Sequence, residues 1–409
     1  MTETRLRIAY LCDFSPLDPY MYSGGNARMY QALCDHAGEV KILPQSWGMA
    51  EPVRRAIRRM PDAVSLRLRW RAHLALSPLA ARRIRTELAR DRYDVLFCAY
   101  SFQSLSRLEA PYPLVRAFSS DATPTIYRTS EIGQAHPPKF PGGRKLDGWI
   151  ESREREVLRG TDVAFWPSNW LKREADARYG LDPASSLIVP WGAGLAEPPP
   201  PPGARPISRD RPVELLLIGR DWFAKGGPVA FDTMTRLRAR GIDARLTVIG
   251  CVPPDAHRNG HVTVHPQIDK TVPEQLALFE TTLAQAHFLV QPSFESYGFA
   301  FCEASAHGLP SLCLDVGGVP VRDGVNGHAL PPGSEVADFA DRIMAYLEAP
   351  DSYAALSRSA YREFEQRLSC CTSCALHCQW ILISLKAKIG QQYIATVHVY
   401  DSSGQNRPT

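Results

Sequence analysis

Short runs of branched aliphatic and aromatic residues recur along most of the chain. Each is followed by a longer stretch in which apolar positions return every three or four residues. The short runs predict strands and the longer ones helices. In the first half, strands are expected at Arg7–Leu11, Glu39–Leu43, Asp94–Cys98, Leu114–Phe118, Val163–Trp166 and Leu187–Val189. In the second half they are expected at Val213–Ile218, Arg245–Ile249, Val262–Val264, His287–Val290 and Ser311–Leu314. Hydrophobicity within these runs is continuous, so both faces of each sheet are expected to lie under helices. Strand and helix alternating in this way build parallel, doubly wound α/β sheets.

The sharpest break in the pattern is Glu197–Pro212, which reads EPPPPPGARPISRDRP. Proline cannot donate to a sheet and fixes its own backbone angle, so this stretch is expected to be a semi-rigid connector and not a packed element. It divides the chain into a Rossmann-like domain over 1–195, a linker over 196–212 and a second Rossmann-like domain over 213–368. A tail over 369–409 has a different character. Ligands of such sheets sit beyond the carboxyl ends of the strands, so the loops there are the places to look for chemistry.

Composition narrows the class further. With 44% hydrophobic and 22% charged residues the chain is an ordinary globular one, which excludes collagenous, coiled-coil and disordered proteins. No apolar run approaches the roughly 18 residues of a membrane-spanning helix. The stretch Leu6–Cys12 is too short for the core of an export signal and reads as the first strand. The ten cysteines then belong to a reducing compartment, without a disulfide framework, and a cytoplasmic protein is expected.

Two loops combine the residue types that bind anions and hydroxyls. After Val213–Ile218 comes Gly219-Arg220-Asp221-Trp222-Phe223-Ala224-Lys225-Gly226-Gly227, which sets two cations five residues apart before a glycine-opened helix. Arginine grips phosphate oxygens in pairs, lysine adds a point charge, and the helix N-terminus adds backbone N–H groups. After His287–Val290, the loop Gln291–Ala304 holds Glu295 and Glu303, eight residues apart, one before a helix and one on its expected first turn. Ionised carboxylates accept hydrogen bonds from neighbouring hydroxyls such as those of a ribose or a sugar ring. Glu303 sits among Phe299, Phe301, Ala304 and Ala306, a face that otherwise reads as buried.

Arg220-x4-Lys225, Glu295-x7-Glu303 and the pair Gly317-Gly318 in DVGGVP resemble the retaining glycosyltransferases of the large group 1, glycogen-synthase-like family. The likeness includes the proline-rich linker and the segment RDGVNGHALPPG at Arg322–Gly333, and it covers most of the stretch from Val213 to Leu368. The first half matches more loosely, through Gly24-Gly25 and through SSDAT at Ser119–Thr123. The resemblance implies a GT-B fold, two Rossmann-like domains with a cleft between them. A nucleotide-diphosphate-sugar donor is then held mainly by the second domain, and a glycan, lipid-linked or small-molecule acceptor by the first. It implies that Arg220 and Lys225 neutralise the diphosphate, that Glu295 contacts hydroxyls of the transferred sugar, and that Glu303 binds the ribose. By the same likeness Ser296, Tyr297, Gly298 and Phe299 present backbone amides to the phosphate or sugar, Gly25 opens a helix toward the donor, and Asp121 offers a polar group near the reacting carbon. An aspartate at Asp121 that only caps the next helix reads equally well. The mechanism it implies is front-face attack with retention, without a cofactor, a metal or an enzymic nucleophile. Two other readings use the same fold: a nucleotide-sugar epimerase, and a donor-binding protein without activity.

Three features stand outside this resemblance. The segment 53–90 carries eleven arginines against Asp62 and Glu87, a net +9 in a chain whose total is +4, so the excess is local. Val53, Ile57 and Met60 recur at helical spacing, whereas Leu66, Leu68 and Trp70 alternate with arginines and also read as extended. Such a segment suits either peripheral contact with an anionic membrane, at its inner face, or a solvated face that receives an acidic acceptor. No recognition motif accompanies the arginines, so nucleic acid is not an expected partner. The tail holds Cys370, Cys371, Cys374, His377 and Cys378 without a second distant ligand pair, which makes zinc the minor reading; a change of reading frame near Ser369 is the alternative. The junction Gly317–Gly324 runs about two residues short of the family pattern, which leaves the closing of that loop open. His136, His265 and His307 have no partner that spacing reveals.

Overall fold

Among the described residues of the computed structural model, eleven of the expected runs and one unexpected segment form two parallel six-stranded sheets, and Val399–Tyr400 pairs with Asn406–Arg407 in a separate two-stranded antiparallel one. The structure describes residues 6–18, 21–60, 62–135, 146–195, 198–203 and 205–369, with 399–400 and 406–407. Described residues up to Trp191 form one compact unit, and Gly192–Ser369 form the second.

The first unit contains β1 (Leu6–Leu11), β2 (Gly38–Ile42), β3 (Val95–Ala99), β4 (Val115–Ser119), β5 (Val163–Trp166) and β6 (Ser186–Ile188), in the spatial order β2-β1-β3-β4-β5-β6. Central β1 puts Ile8, Ala9 and Tyr10 wholly out of solvent, with Ile8 in register with Val40 on one side and Val95 on the other. Helix α1 (Gly25–His36) follows β1. Helices α2 (Glu51–Arg58), α3 (Asp62–Ala75) and α4 (Ser77–Arg90) carry the arginine-rich segment.

The second unit contains β7 (Val213–Ile218), β8 (Ala244–Ile249), β9 (Val262–His265), β10 (Phe288–Val290), β11 (Ser311–Leu314) and β12 (Gly327–Leu330), ordered β12-β11-β10-β7-β8-β9. In both sheets the chain runs outward in one direction, then returns to the centre and runs outward in the other. The reversal lies between β1 and β3 in the first unit and between β7 and β10 in the second. Crevices at such reversals, beyond the carboxyl ends of the strands, are where α/β sheets take ligands.

Several expectations are corrected. The stretch from Leu68 to Arg71 is helical and not extended, since it lies inside α3. Only Ile57 of the expected apolar stripe in α2 is buried; Val53 and Met60 are 46% and 41% exposed, and the helix ends before Met60. The proline-rich stretch packs against the second unit. The Pro199 carbonyl accepts from the Tyr361 hydroxyl at 2.9 Å, and Arg205 donates to the His307 carbonyl at 3.0 Å. Proline lacks a donor but keeps its carbonyl, and the Pro199 carbonyl is one of the two anchors. Strand β12 was not expected, because GHAL offers no β-branched residue, yet it pairs with β11 along its whole length. His136 and the cysteine cluster of the tail lie outside the described residues.

One buried acid makes the first unit sensitive to pH. Glu154, fully buried, accepts from the Thr125 N–H at 3.0 Å and the Tyr179 hydroxyl at 2.8 Å. Burial outweighs these donors and pushes its carboxyl up to about 7. A carboxyl raised in the folded state costs stability as pH rises from the unfolded value of 4.5 through about 7. Glu154→Gln removes that cost. The variant should gain stability relative to the parent between pH 5 and pH 8, by at most about 3 kcal/mol. Thermal unfolding at the two pH values checks this, and an unchanged difference between the proteins refutes it.

Candidate functional site

The loops after β7 and β10 meet at the reversal of the second sheet, and backbone fixes how closely. Gly226, with φ 75°, caps the helix Gly227–Ala239; a Cβ there would lie 2.5 Å from the Pro292 carbonyl oxygen. A side chain at this position would therefore push the two loops apart. The β7 loop is also held from the other side: buried Trp222 donates its indole N–H to His257 Nδ1 at 3.1 Å.

Across this contact the Lys225 ammonium lies 2.8 Å from Glu295 Oε1. The same oxygen accepts from Gln291 Nε2 at 2.6 Å and Ser293 Oγ at 2.8 Å. Burial pushes the Glu295 carboxyl up, but the Lys225 charge and the three donors together outweigh it and hold the group below its ordinary value. Glu295 is thus a fixed, ionised acceptor with a side chain only 12% exposed.

Gly298 follows with φ 100° and caps the helix Phe299–Ala306; a Cβ there would meet the Phe301 ring at 2.7 Å and Glu295 Oε2 at 3.2 Å. Glycine therefore keeps clear space beside the carboxylate while Tyr297, 1% exposed, packs beneath. The Ser296 carbonyl accepts from the Gly318 N–H at 3.1 Å, so the third loop is tied to the second. The short Gly317–Gly324 junction is anchored as well by fully buried Asn326, which donates to Ser305 Oγ at 3.0 Å and the Pro320 carbonyl at 3.2 Å.

Glu303 is buried, as its neighbours in sequence suggest, but it is the fifth residue of its helix and so lies on the second turn, not the first. It carries a partner that spacing does not reveal: Lys270 Nζ is 2.8 Å from Glu303 Oε1 and 3.7 Å from the centre of the Phe279 ring. Lys270 precedes Glu303 by a helix and a strand, so only the fold brings them together. Arg220 is exposed at the end of β7. The second unit therefore carries Arg220 and Lys225 on the loop after β7, Glu295, Ser296, Tyr297 and Gly298 on the loop after β10, and Phe299 and Glu303 on the helix that follows. Gly25 and Asp121 belong to the first unit. There Gly25 opens α1, and Asp121 follows β4. The cap of the helix after Asp121 is Thr123, whose hydroxyl accepts from the Ile126 N–H at 3.3 Å, so Asp121 does not serve as that cap.

Residues 212–349 match the family described as glycosyl transferases group 1. The D-inositol 3-phosphate glycosyltransferase of Pseudarthrobacter chlorophenolicus is 28% identical over 302 residues, 68% of each chain. That of Mycolicibacterium smegmatis is 42% identical over 292 residues, 67% of this chain and 58% of the relative. Among solved structures, the sucrose-phosphate synthase of Thermosynechococcus elongatus aligns with a TM-score of 0.63 at 18% identity, covering 92% of this chain and 98% of that one. WaaG, a glycosyltransferase involved in lipopolysaccharide biosynthesis, aligns at 0.61 and 15% identity, covering 94% and 100%. The two sheets are those of the GT-B fold.

The pair across the loops also sets a pH response. In the parent, the lowered Glu295 carboxyl contributes stability above its unfolded value, and that contribution is lost as pH falls. Lys225→Met leaves burial as the largest influence, so the variant should be destabilised by about 1–3 kcal/mol near pH 7 and by less near pH 4. Urea unfolding at both pH values measures this; a loss that is equal at both would show that the pair is not coupled.

Proposed function

We propose that this chain, which belongs to the group 1 glycosyl transferases, moves a sugar from a nucleotide-diphosphate donor to an acceptor hydroxyl, with retention of anomeric configuration and without a metal ion. The observation that carries this reading is the convergence of Lys225 and Glu295 at 2.8 Å on two loops of one sheet reversal, with Arg220 on the first loop and Glu303 on the helix that follows the second. Departure of the nucleotide puts negative charge on the diphosphate. Arg220, Lys225 and the N-terminus of the helix Phe299–Ala306 supply fixed positive charge where that negative charge develops. Glu295 receives hydroxyls of the transferred sugar, and Glu303, held by Lys270, receives those of the ribose. The sugar passes through an oxocarbenium-like state, and the departing phosphate accepts the acceptor's proton on the face from which it leaves.

On this reading the first unit takes the acceptor, which is a glycan, a lipid-linked compound or a small molecule. Similarity to enzymes named for D-inositol 3-phosphate supports an acceptor that joins hydroxyls to a phosphate. Neighbours of the same fold have been solved with UDP, which makes UDP-sugars the first donors to try.

Lys225→Ala and Glu295→Ala should each lower turnover by two orders of magnitude or more, with the parent unaffected by EDTA. Sugar transfer from a panel of UDP-sugars, with the product's anomeric configuration read by NMR, tests all three points. Near-parental transfer by either variant, inversion, or loss of activity in EDTA defeats the corresponding part.

Peripheral membrane contact through the segment 53–90 is a second part of the proposal. Met49, Val53 and Met60 are exposed beside the exposed arginines Arg55, Arg58 and Arg59, and exposed apolar side chains flanked by cations suit an anionic lipid surface. Flotation with phosphatidylglycerol vesicles at low salt should carry the protein upward. Its absence from the vesicle fraction removes this part alone.

A further inference from the structure

The short junction Gly317–Gly324 has a second anchor besides Asn326. Its Pro320 carbonyl also accepts from Arg367 Nη2 at 2.7 Å. Arg367 lies in a π-helical turn, Phe364–Leu368, that prolongs the helix Pro350–Glu363. Its Nε donates to Oε1 of Glu363, the last residue of that helix. Glu363 is only 3% exposed, and its Oε2 accepts from Arg322 Nη1, within the junction, at 3.1 Å. One buried carboxylate thus joins two guanidiniums, one reaching toward the junction and one coming from it. Lysine could not replace Arg367 in full, because a planar fork is needed to meet a carboxylate and a carbonyl at once.

The place held in this way lies close to the proposed donor loops. Pro320 is two residues from Gly318, whose N–H binds the Ser296 carbonyl beside Glu295. Gly317 has φ 59°, and two adjacent glycines lend the turn little stiffness of their own. Its position is therefore set by what is bonded to it. The π-helical turn also packs against the helix Phe299–Ala306, which carries Glu303. Turns of this kind are rare, and they gather at functional sites.

The residue after Arg367 leads elsewhere. The Leu368 carbonyl accepts from the Ala193 N–H at 2.8 Å, and Ala193 forms a bridge with Ser369. The second unit begins at Gly192 and ends at Ser369, so its two ends are bonded to each other directly beside Arg367. Backbone bonds and ion pairs run without a break from Ser296 through Gly318, Pro320 and Arg367 to these ends.

We propose that Arg367 is a positioning residue for the donor: clamped by Glu363, it sets the Gly317–Pro320 turn and links occupancy of the donor loops to the paired ends of the unit. This rests on the glycosyltransferase reading and adds to it a residue that lies outside the loops assigned to the donor.

Calorimetric titration of the full chain with UDP tests the first half. R367Q should bind UDP at least tenfold more weakly than the parent, and R367K, which keeps the charge and one donor, at most threefold. R322Q removes a guanidinium from the same carboxylate without touching Pro320, and should stay within twofold of the parent. Amide exchange, which reports local opening, tests the second half. With UDP at saturation, exchange in the parent should slow over 317–321, over 364–369 and at Ala193; R367Q should keep the first effect and lose the other two. Should R367Q fold poorly, E363Q, which keeps the shape of the acid but loosens its hold on Arg367, should weaken UDP binding about threefold. A variant that melts earlier yet binds UDP as the parent does would reveal a structural role alone and overturn the proposal. So would equal losses in R367Q and R322Q, or a parent in which UDP leaves 364–369 unchanged. Failure of the parent to bind UDP would instead count against the glycosyltransferase reading.

Discussion

The contact between the Lys225 ammonium and the Glu295 carboxylate is what makes the second unit's loops a site and not two neighbouring turns. Both groups are drawn from water, and neither would be tolerated there alone. Gly226 allows the backbones to come close, Gln291 and Ser293 occupy further lone pairs of the acid, and Gly298 keeps its other oxygen clear of a side chain. The arrangement is therefore fixed by the fold, and preorganised charge is what the proposed transfer, which expels a diphosphate, would require.

The two units solve the same topological problem with different chemistry. Each sheet reverses direction once. The second unit fills the neighbourhood with acid–lysine pairs, Lys225 with Glu295 and Lys270 with Glu303. The first relies on arginine and aromatic rings, Arg69 and Arg58 against Phe14 and the stack of Tyr22 on Tyr100. Lysine is a compact charge that a mobile diphosphate can share. Arginine offers a planar fork that reads the shape of an anion.

Much of the fold was legible because the central strands of a parallel sheet are buried on both faces and so apolar, and eleven of the twelve strands in the two parallel sheets fall on expected runs. Strand β12 did not, since Gly327, His328, Ala329 and Leu330 include no β-branched residue, although they pair with β11 at the edge of the sheet. The loops of the second unit were legible because their motifs are local: Arg220 and Lys225 share one loop, and Glu295 and Glu303 a loop and its helix. Lys270 was not, because its partner lies 33 residues onward, across a helix and a strand whose packing no local spacing reveals. Arg69 was hidden for the opposite reason. It has ten arginine neighbours in the same segment, and composition cannot distinguish an arginine that turns inward from one that stays in solvent.

The protonation of Glu295 also bears on mechanism. A carboxyl held below its ordinary value is ionised at neutral pH, so it accepts hydrogen bonds but has no proton to give. Nor does it suit the role of base: a group whose acid form is so disfavoured by Lys225 takes up a proton poorly. An ammonium and two further donors on Oε1 also draw charge from the carboxylate and weaken its other oxygen as a nucleophile. What remains is the role of a fixed acceptor for sugar hydroxyls. In the proposed transfer the acceptor's proton must then go to the departing phosphate oxygen, whose basicity rises as its bond to the sugar breaks. The ion pair that secures the loops thus also withdraws the acid from the proton chemistry.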